Sequence, residues 1–131
     1  MTVEEVKDYC LSLEKTFLDT PFDFETEVIR HKENNKIFVL FCSPDERPSI
    51  NLKCEPSEAE FLRSVYKDVI PGYHMNKTHW NTVYLDGDVP EEEIKSMIDS
   101  SYDLTRPKRH IGSLFAGFSE NESSIACKKS K

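Results

Sequence analysis

Apolar residues Val3, Val6, Cys10, Leu13 and Phe17 recur at alternating spacings of three and four, the period of one helix face. Thr2 and Glu5 stand ahead of them at capping-box spacing. This pattern predicts a first helix ending between Leu13 and Phe17, before the break at Asp19-Thr20-Pro21. Residues 24–31 are rich in β-formers, and Lys32-Glu33-Asn34-Asn35 reads as a turn. The run Ile37-Phe38-Val39-Leu40-Phe41-Cys42 is apolar throughout, which predicts a central strand covered on both faces. After a second turn at residues 43–48, Ile50, Leu52 and Cys54 alternate with Asn51 and Lys53. Period two in a strand buries the first set and presents Asn51 and Lys53 on the opposite face.

Pro56-Ser57 opens a second helix, with Ser57 and Glu60 again at capping-box spacing and Phe61, Leu62, Val65 and Tyr66 as its expected buried stripe. Val69-Ile70-Pro71-Gly72 ends it and leads into the polar-aromatic run Tyr73-His74-Met75-Asn76-Lys77-Thr78-His79-Trp80-Asn81. From Trp80 to Leu85 the pattern alternates. Val83 and Leu85 are expected inward and Trp80, Thr82 and Tyr84 outward, unless a bulge shifts the register. Asp86-Gly87 makes a turn, and Asp88 with Glu91 gives a third capping-box spacing. Ile94, Met97, Ile98, Ser101, Tyr102 and Thr105 define the inner face of a last helix that ends at Pro107. The order is helix, three strands, helix, one or two strands, helix. It predicts an α+β fold: a two-layer sandwich with an antiparallel sheet and helices on one face. Residues 1–106 form the domain. Residues 107–131 are a polar tail with a short apolar patch at Leu114, Phe115 and Phe118.

Composition narrows the class. The chain has 131 residues and a hydrophobic fraction of 37%, enough for one core. No apolar run approaches the roughly 18 residues of a membrane span. The amphipathic first helix begins almost at Met1, leaving no room for a secretory signal, so the expected compartment is the cytoplasm with reduced thiols. Cys10, Cys42 and Cys54 sit in apolar contexts and are expected in the core. None of the four cysteines forms Cys-x-x-Cys or a zinc-ligand spacing. The formal net charge of −7 excludes an indiscriminate nucleic-acid coat protein. The acids, however, concentrate at Glu4-Glu5, Glu55 to Glu60 and Glu91-Glu92-Glu93, leaving other surfaces free to be neutral or positive. The chain has no nucleophile elbow, P-loop or dinucleotide fingerprint and only 4 Gly. No catalytic residues, metal ligands or cofactors are therefore expected.

From Asn51-Leu52-Lys53-Cys54-Glu55-Pro56 onward the chain resembles a known family. The likeness runs through Ile70-Pro71-Gly72-Tyr73-His74-Met75-Asn76-Lys77, His79-Trp80-Asn81-Thr82-Val83, Leu85-Asp86-Gly87 and Ser101-Tyr102-Asp103-Leu104. These motifs, in this order, resemble the MmcQ/YjbR family of small bacterial proteins over roughly residues 1–106. The resemblance implies a CyaY-like (frataxin-like) arrangement and binding of DNA through a double-wing surface. Many relatives have a Leu-Pro-Gly segment after the first helix where this chain has Leu13-Glu14-Lys15, a difference confined to a loop.

The residue types of the central run suit contact with a ligand. Lys77 can neutralise a phosphate, His74 and His79 can donate to phosphate oxygens, and Asn76 and Asn81 can meet base edges or backbone. Tyr73 and Trp80 offer flat faces for stacking, and Asn51 and Lys53 extend the surface. Arg30, Lys32 and Lys36 flank the first hairpin as a separate wing, and Arg106-Pro107-Lys108-Arg109-His110 is a short basic cluster past the last helix. A structural role competes: Trp80 can be a half-core residue, His74 a turn cap and Asn76 the head of an Asx-turn. DNA is the expected partner. A small anionic ligand or a protein partner in the same cluster is the alternative.

Overall fold

A computed structural model describes residues 1–20, 26–72 and 76–107. Its elements follow in the order α1 (Val3–Leu11), β1 (Thr16–Asp19), β2 (Val28–His31), β3 (Ile37–Phe41), β4 (Ser49–Lys53), α2 (Pro56–Val65), β5 (Val69–Pro71), β6 (Trp80–Tyr84) and α3 (Glu91–Thr105). The strands form one sheet in the order β1-β2-β3-β4-β6-β5, and every neighbouring pair is antiparallel. This is the α+β architecture expected from patterning, with one additional strand, β1, at an edge of the sheet.

The register explains which side chains meet. Val39 lies opposite Leu52 and Leu52 opposite Asn81, while Phe41, Ile50 and Val83 form the next row. These positions are buried with Val6 and Cys10 of α1, Ala59 and Leu62 of α2, and Ile94, Met97 and Ile98 of α3. All three helices therefore cover one face of the sheet. The apolar run in β3 has a different cause from the expected two-sided cover. Ile29 pairs with Val39 but Arg30 pairs with Ile37, so the register shifts at Phe38. A bulge turns two successive residues toward one face, and both Phe38 and Val39 are fully buried. Ile37 and Leu40 are only half-buried, on the face against which no described helix packs. At its β2 side this face is closed, since Val28, opposite Leu40, is fully buried.

Three helix expectations need correction. First, α1 stops at Leu11 and Phe17 belongs to β1. The Thr16 hydroxyl donates to the Cys10 and Leu13 carbonyls at 3.0 and 3.1 Å, and Lys15 reverses the chain at φ 57°. Second, of the three capping boxes only Thr2–Glu5 forms. Pro56 takes the first helical position, which leaves Glu55 as a cap without a side-chain bond. The Asp88 carboxylate instead accepts the amides of Lys67 and Asp68, and Pro90 precedes α3. Third, α2 turns Ala59 and Leu62 inward while Phe61 is 63% and Val65 50% exposed. It ends at Val65, and Val69–Pro71 becomes the edge strand β5 rather than the end of the helix.

Burial pushes the Cys10 thiol up to about 12 and the Cys54 thiol up to about 11, so neither forms a thiolate near neutrality. Cys42 is half-buried, not in the core cluster; its sulfur accepts the Ser49 amide.

His31 ties α3 to the sheet. It is 3% exposed, its Nε2 lies 2.8 Å from the Thr105 hydroxyl, and its ring lies 4.8 Å from those of Phe38 and Tyr102. The Thr105 hydroxyl donates to the Ser101 carbonyl at 2.7 Å, so Nε2 carries the ring proton and donates to Thr105. Burial holds the imidazole below its ordinary value of 6.5. In the unfolded chain it titrates near that value. Its contribution to stability is therefore complete above pH ~6.5 and declines as the pH falls from there toward the folded pKa. Urea unfolding midpoints measured from pH 7.5 down to 5.5 should fall, and the His31→Gln variant should lose this part of the slope. An unchanged slope in the variant would remove His31 as its source.

Candidate nucleic-acid interface

The helix-free face carries a cross-strand ladder. On β4 and β6, Ser49 lies opposite Tyr84, Asn51 opposite Thr82, and Lys53 opposite Trp80. These rows alternate with the buried rows Ile50–Val83 and Leu52–Asn81, so period two places all six side chains on the outer face. Directly opposed residues in such a pair have Cβ atoms about 5 Å apart. Asn51, Lys53, Trp80 and Tyr84 are half-buried, and the Thr82 hydroxyl donates to Asn51 Oδ1. The Lys53 amide donates to Ser101 Oγ at 2.9 Å, and that hydroxyl donates to the Phe38 carbonyl at 2.6 Å. The end of β4 is thereby fixed to α3. Among the described residues, no carboxylate forms an ion pair with the Lys53 ammonium.

The turn before β6 is held mainly from within. Asn76 Oδ1 accepts the Thr78 amide at 2.9 Å, and the Asn76 carbonyl accepts the amides of His79 and Trp80. This is an Asx-turn. Lys77 is exposed, and its ammonium lies 3.3 Å from the Gly72 carbonyl. His79 is exposed, and its carbonyl accepts the Cys54 amide at 2.8 Å. Asn76 and Lys77 thus stabilise the turn, while the His79 side chain is exposed in the turn that precedes Trp80. Tyr73 and His74 lie outside the described residues, as do Lys108, Arg109 and His110 of the basic cluster. Arg106 of that cluster pairs with Asp103 and lies over the Tyr102 ring. In the first wing, Arg30 pairs with Asp19 and donates to the Asn35 carbonyl; Lys32 and Lys36 are exposed.

Two contributors have no counterpart among the sequence expectations. Arg63 reaches from α2 to the turn: Nε donates to Asn81 Oδ1 at 2.6 Å, and Nη2 to the carbonyls of Lys77 and Trp80. Its only sequence signal is its place four residues after buried Ala59, on the same helix face. At the other end of the ladder, the Arg47 guanidinium lies 4.0 Å above the Tyr84 ring. It donates to Asp86 at 2.7 Å and to Asp68 at 3.2 Å. The Lys67 ammonium, the Asp88 amide and Arg47 hold the Asp68 carboxyl below its ordinary range.

Charge divides between the layers. The three helices hold ten acidic and three basic residues, a net charge as negative as that of the whole chain. The six strands hold one acid, Asp19, and two bases, Arg30 and Lys53. A cleft with about 380 Å³ of empty space, open to solvent, runs between α2 and α3 over Leu52, Leu62, Val83 and Met97. Glu58, Glu93 and Lys53 are among its lining residues. Among the described residues no group of three or more His, Cys, Asp or Glu is placed to hold a metal ion. No described helix is long and apolar enough to cross a membrane.

Comparison with known proteins agrees with this architecture. The family model described as YjbR matches residues 11–104. The Escherichia coli K12 protein YjbR is 36% identical over 102 residues, covering 78% of this chain and 85% of the relative. The Bacillus subtilis protein YyaQ is 35% identical over 88 residues, 60% of this chain and 74% of its own length. In three dimensions, the crystal structure of Deinococcus radiodurans protein DR2400, with a DUF419 domain, superposes with a TM-score of 0.72 at 34% identity. That match covers 79% of this chain and 77% of the other. With its profile, its relatives and its fold in agreement, this chain belongs to the YjbR family.

Proposed function

We propose that the protein binds DNA across the helix-free face of β4 and β6. The observation that carries this reading is the division of charge: the negative helices lie behind the sheet, and the ladder in front presents Lys53 beside Trp80. A polyanion approaching that face meets an ammonium with no acidic partner among the described residues, the polar end of Asn51, and two aromatic rings. Approach to the opposite layer is repelled. Lys53 positions a phosphate, and Trp80 packs on sugar or base. Few cations face this way, so affinity is modest and sensitive to salt. Each phosphate neutralised steepens the fall of log K against log salt by about 0.9 on B-DNA.

Anisotropy titration of a labelled oligonucleotide at low salt tests this. Lys53→Glu should weaken binding by tenfold or more and flatten the salt slope by about one to two. Absence of binding by the unmodified protein to both single and double strands at low salt would overturn the proposal.

A further inference from the structure

Resting on the nucleic-acid reading above, we infer that the preferred ligand is single-stranded, with its bases stacked along the β6 ladder. The face is the surface of a sheet, and among the described residues no helix stands on it to enter a groove. Duplex sequence is read by a helix or ribbon inserted into the major groove, and a duplex keeps its base faces turned away from a flat platform. A single strand can turn its bases onto aromatic rings and guanidinium planes.

The ladder supplies two such surfaces on one strand. Trp80 and Tyr84 are four residues apart on the same face, about 13 Å at the rise of a strand. The outer surface over Tyr84 is the guanidinium of Arg47, stacked 4.0 Å from the ring centroid and held by Asp86. The Arg47 side chain is 44% exposed. A base at that end stacks on the Arg47 plane, and a base at the other end stacks on Trp80. Between them the half-buried Asn51 amide, its Oδ1 held by the hydroxyl of buried Thr82, presents its polar end to the edge of an intervening base. The cations are divided in the same sense. Lys53, opposite Trp80, takes a phosphate, whereas the charge of Arg47 is already shared with Asp86 and Asp68, leaving its plane as the contact. The footprint on the ladder is two or three bases, as on other sheets that bind single strands.

Anisotropy titrations with an oligo-dT of about 12 nucleotides and a mixed-sequence duplex of the same length, at one low salt concentration, test this. The single strand should bind at least tenfold more tightly. Trp80→Leu should weaken single-strand binding about tenfold, and Trp80→Phe, which keeps a stacking face, less than threefold. The Phe variant guards against loss of folding in the Leu variant. Equal or tighter binding of the duplex, or equal losses in the Leu and Phe variants, would overturn the single-strand inference while leaving nucleic-acid binding intact. Failure of both ligands to bind would overturn the underlying reading instead.

Discussion

Replacement of Arg63 by methionine is expected to lower stability by about 3 kcal/mol and to weaken nucleic-acid binding as well. The guanidinium donates to Asn81 Oδ1 and to the carbonyls of Lys77 and Trp80. Methionine keeps much of the packing but supplies no donor. Asn81 is only 2% exposed, so its carbonyl oxygen would be left buried with its strongest partner gone. A charged hydrogen bond contributes ~1.5–3 kcal/mol, and an unsatisfied buried acceptor costs a further ~1–3. The turn from Asn76 to Trp80 would then be held by its own hydrogen bonds and by Lys77 on Gly72. Trp80 would be positioned less well beside Lys53. Urea unfolding followed by circular dichroism measures the first effect. Arg63→Lys should recover less than half of the loss, because an ammonium cannot bridge three acceptors with the fork of a guanidinium. A methionine variant within about 0.5 kcal/mol of the parent would show that Arg63 is not the clamp.

Gly87→Ala is the second large effect. A Cβ at Gly87 would lie 2.0 Å from Asp68 Oδ2, 2.4 Å from its Cγ and 2.7 Å from its Cβ. The last contact cannot be relieved by rotating the end of a flexible side chain, so backbone must move. Asp68 is not free to yield: it receives Arg47, Lys67 and the amide of Asp88. Overpacking of this kind costs ~1–3 kcal/mol, and a melting temperature lower by roughly 3–10 °C is expected for a domain of this size. Displacement of Asp68 also frees Arg47 from one anchor over Tyr84. Asp68→Ala in the Gly87→Ala background should recover part of the steric loss, and the double-mutant cycle should show coupling. Additive losses would place the strain elsewhere.

The outer ladder was legible from sequence because period two is local. Alternation through Ile50–Cys54 and Trp80–Leu85 assigns Asn51, Lys53, Trp80, Thr82 and Tyr84 to one face, and the register agrees. The inner face of α3 was legible for the same reason at a period of 3.6. Strand β1 was hidden because Phe17 continues the helical spacing of Val3 to Leu13 by coincidence. The helix is ended by the positive φ of Lys15 and the Thr16 hydroxyl. The bulge at Phe38 was hidden because a run of apolar residues reads alike whether it faces two layers or doubles up on one. The Ser57–Glu60 and Asp88–Glu91 spacings matched a motif whose donors and acceptors were engaged otherwise, by Pro56 at the helix start and by the amides of Lys67 and Asp68. Arg63 and Arg47 were not legible at all. Their partners lie 14 to 39 residues away in sequence, and no local pattern encodes such contacts.

The family motifs also concentrated attention on Tyr73 to Asn81, yet within the described part of that run Asn76 and Lys77 bind the chain itself. In the proposed interface, contact with the ligand falls to Lys53 and Trp80. The chain contains 1 Trp, and it stands at one end of the proposed ladder, opposite Lys53. Steady-state emission of Trp80 during titration with oligo-dT, with anisotropy of the labelled strand followed in the same samples, is the most direct test. Binding across the helix-free face requires saturable quenching of Trp80 that follows the anisotropy curve and reverses with added salt. Saturated binding by anisotropy with Trp80 emission unchanged would contradict it.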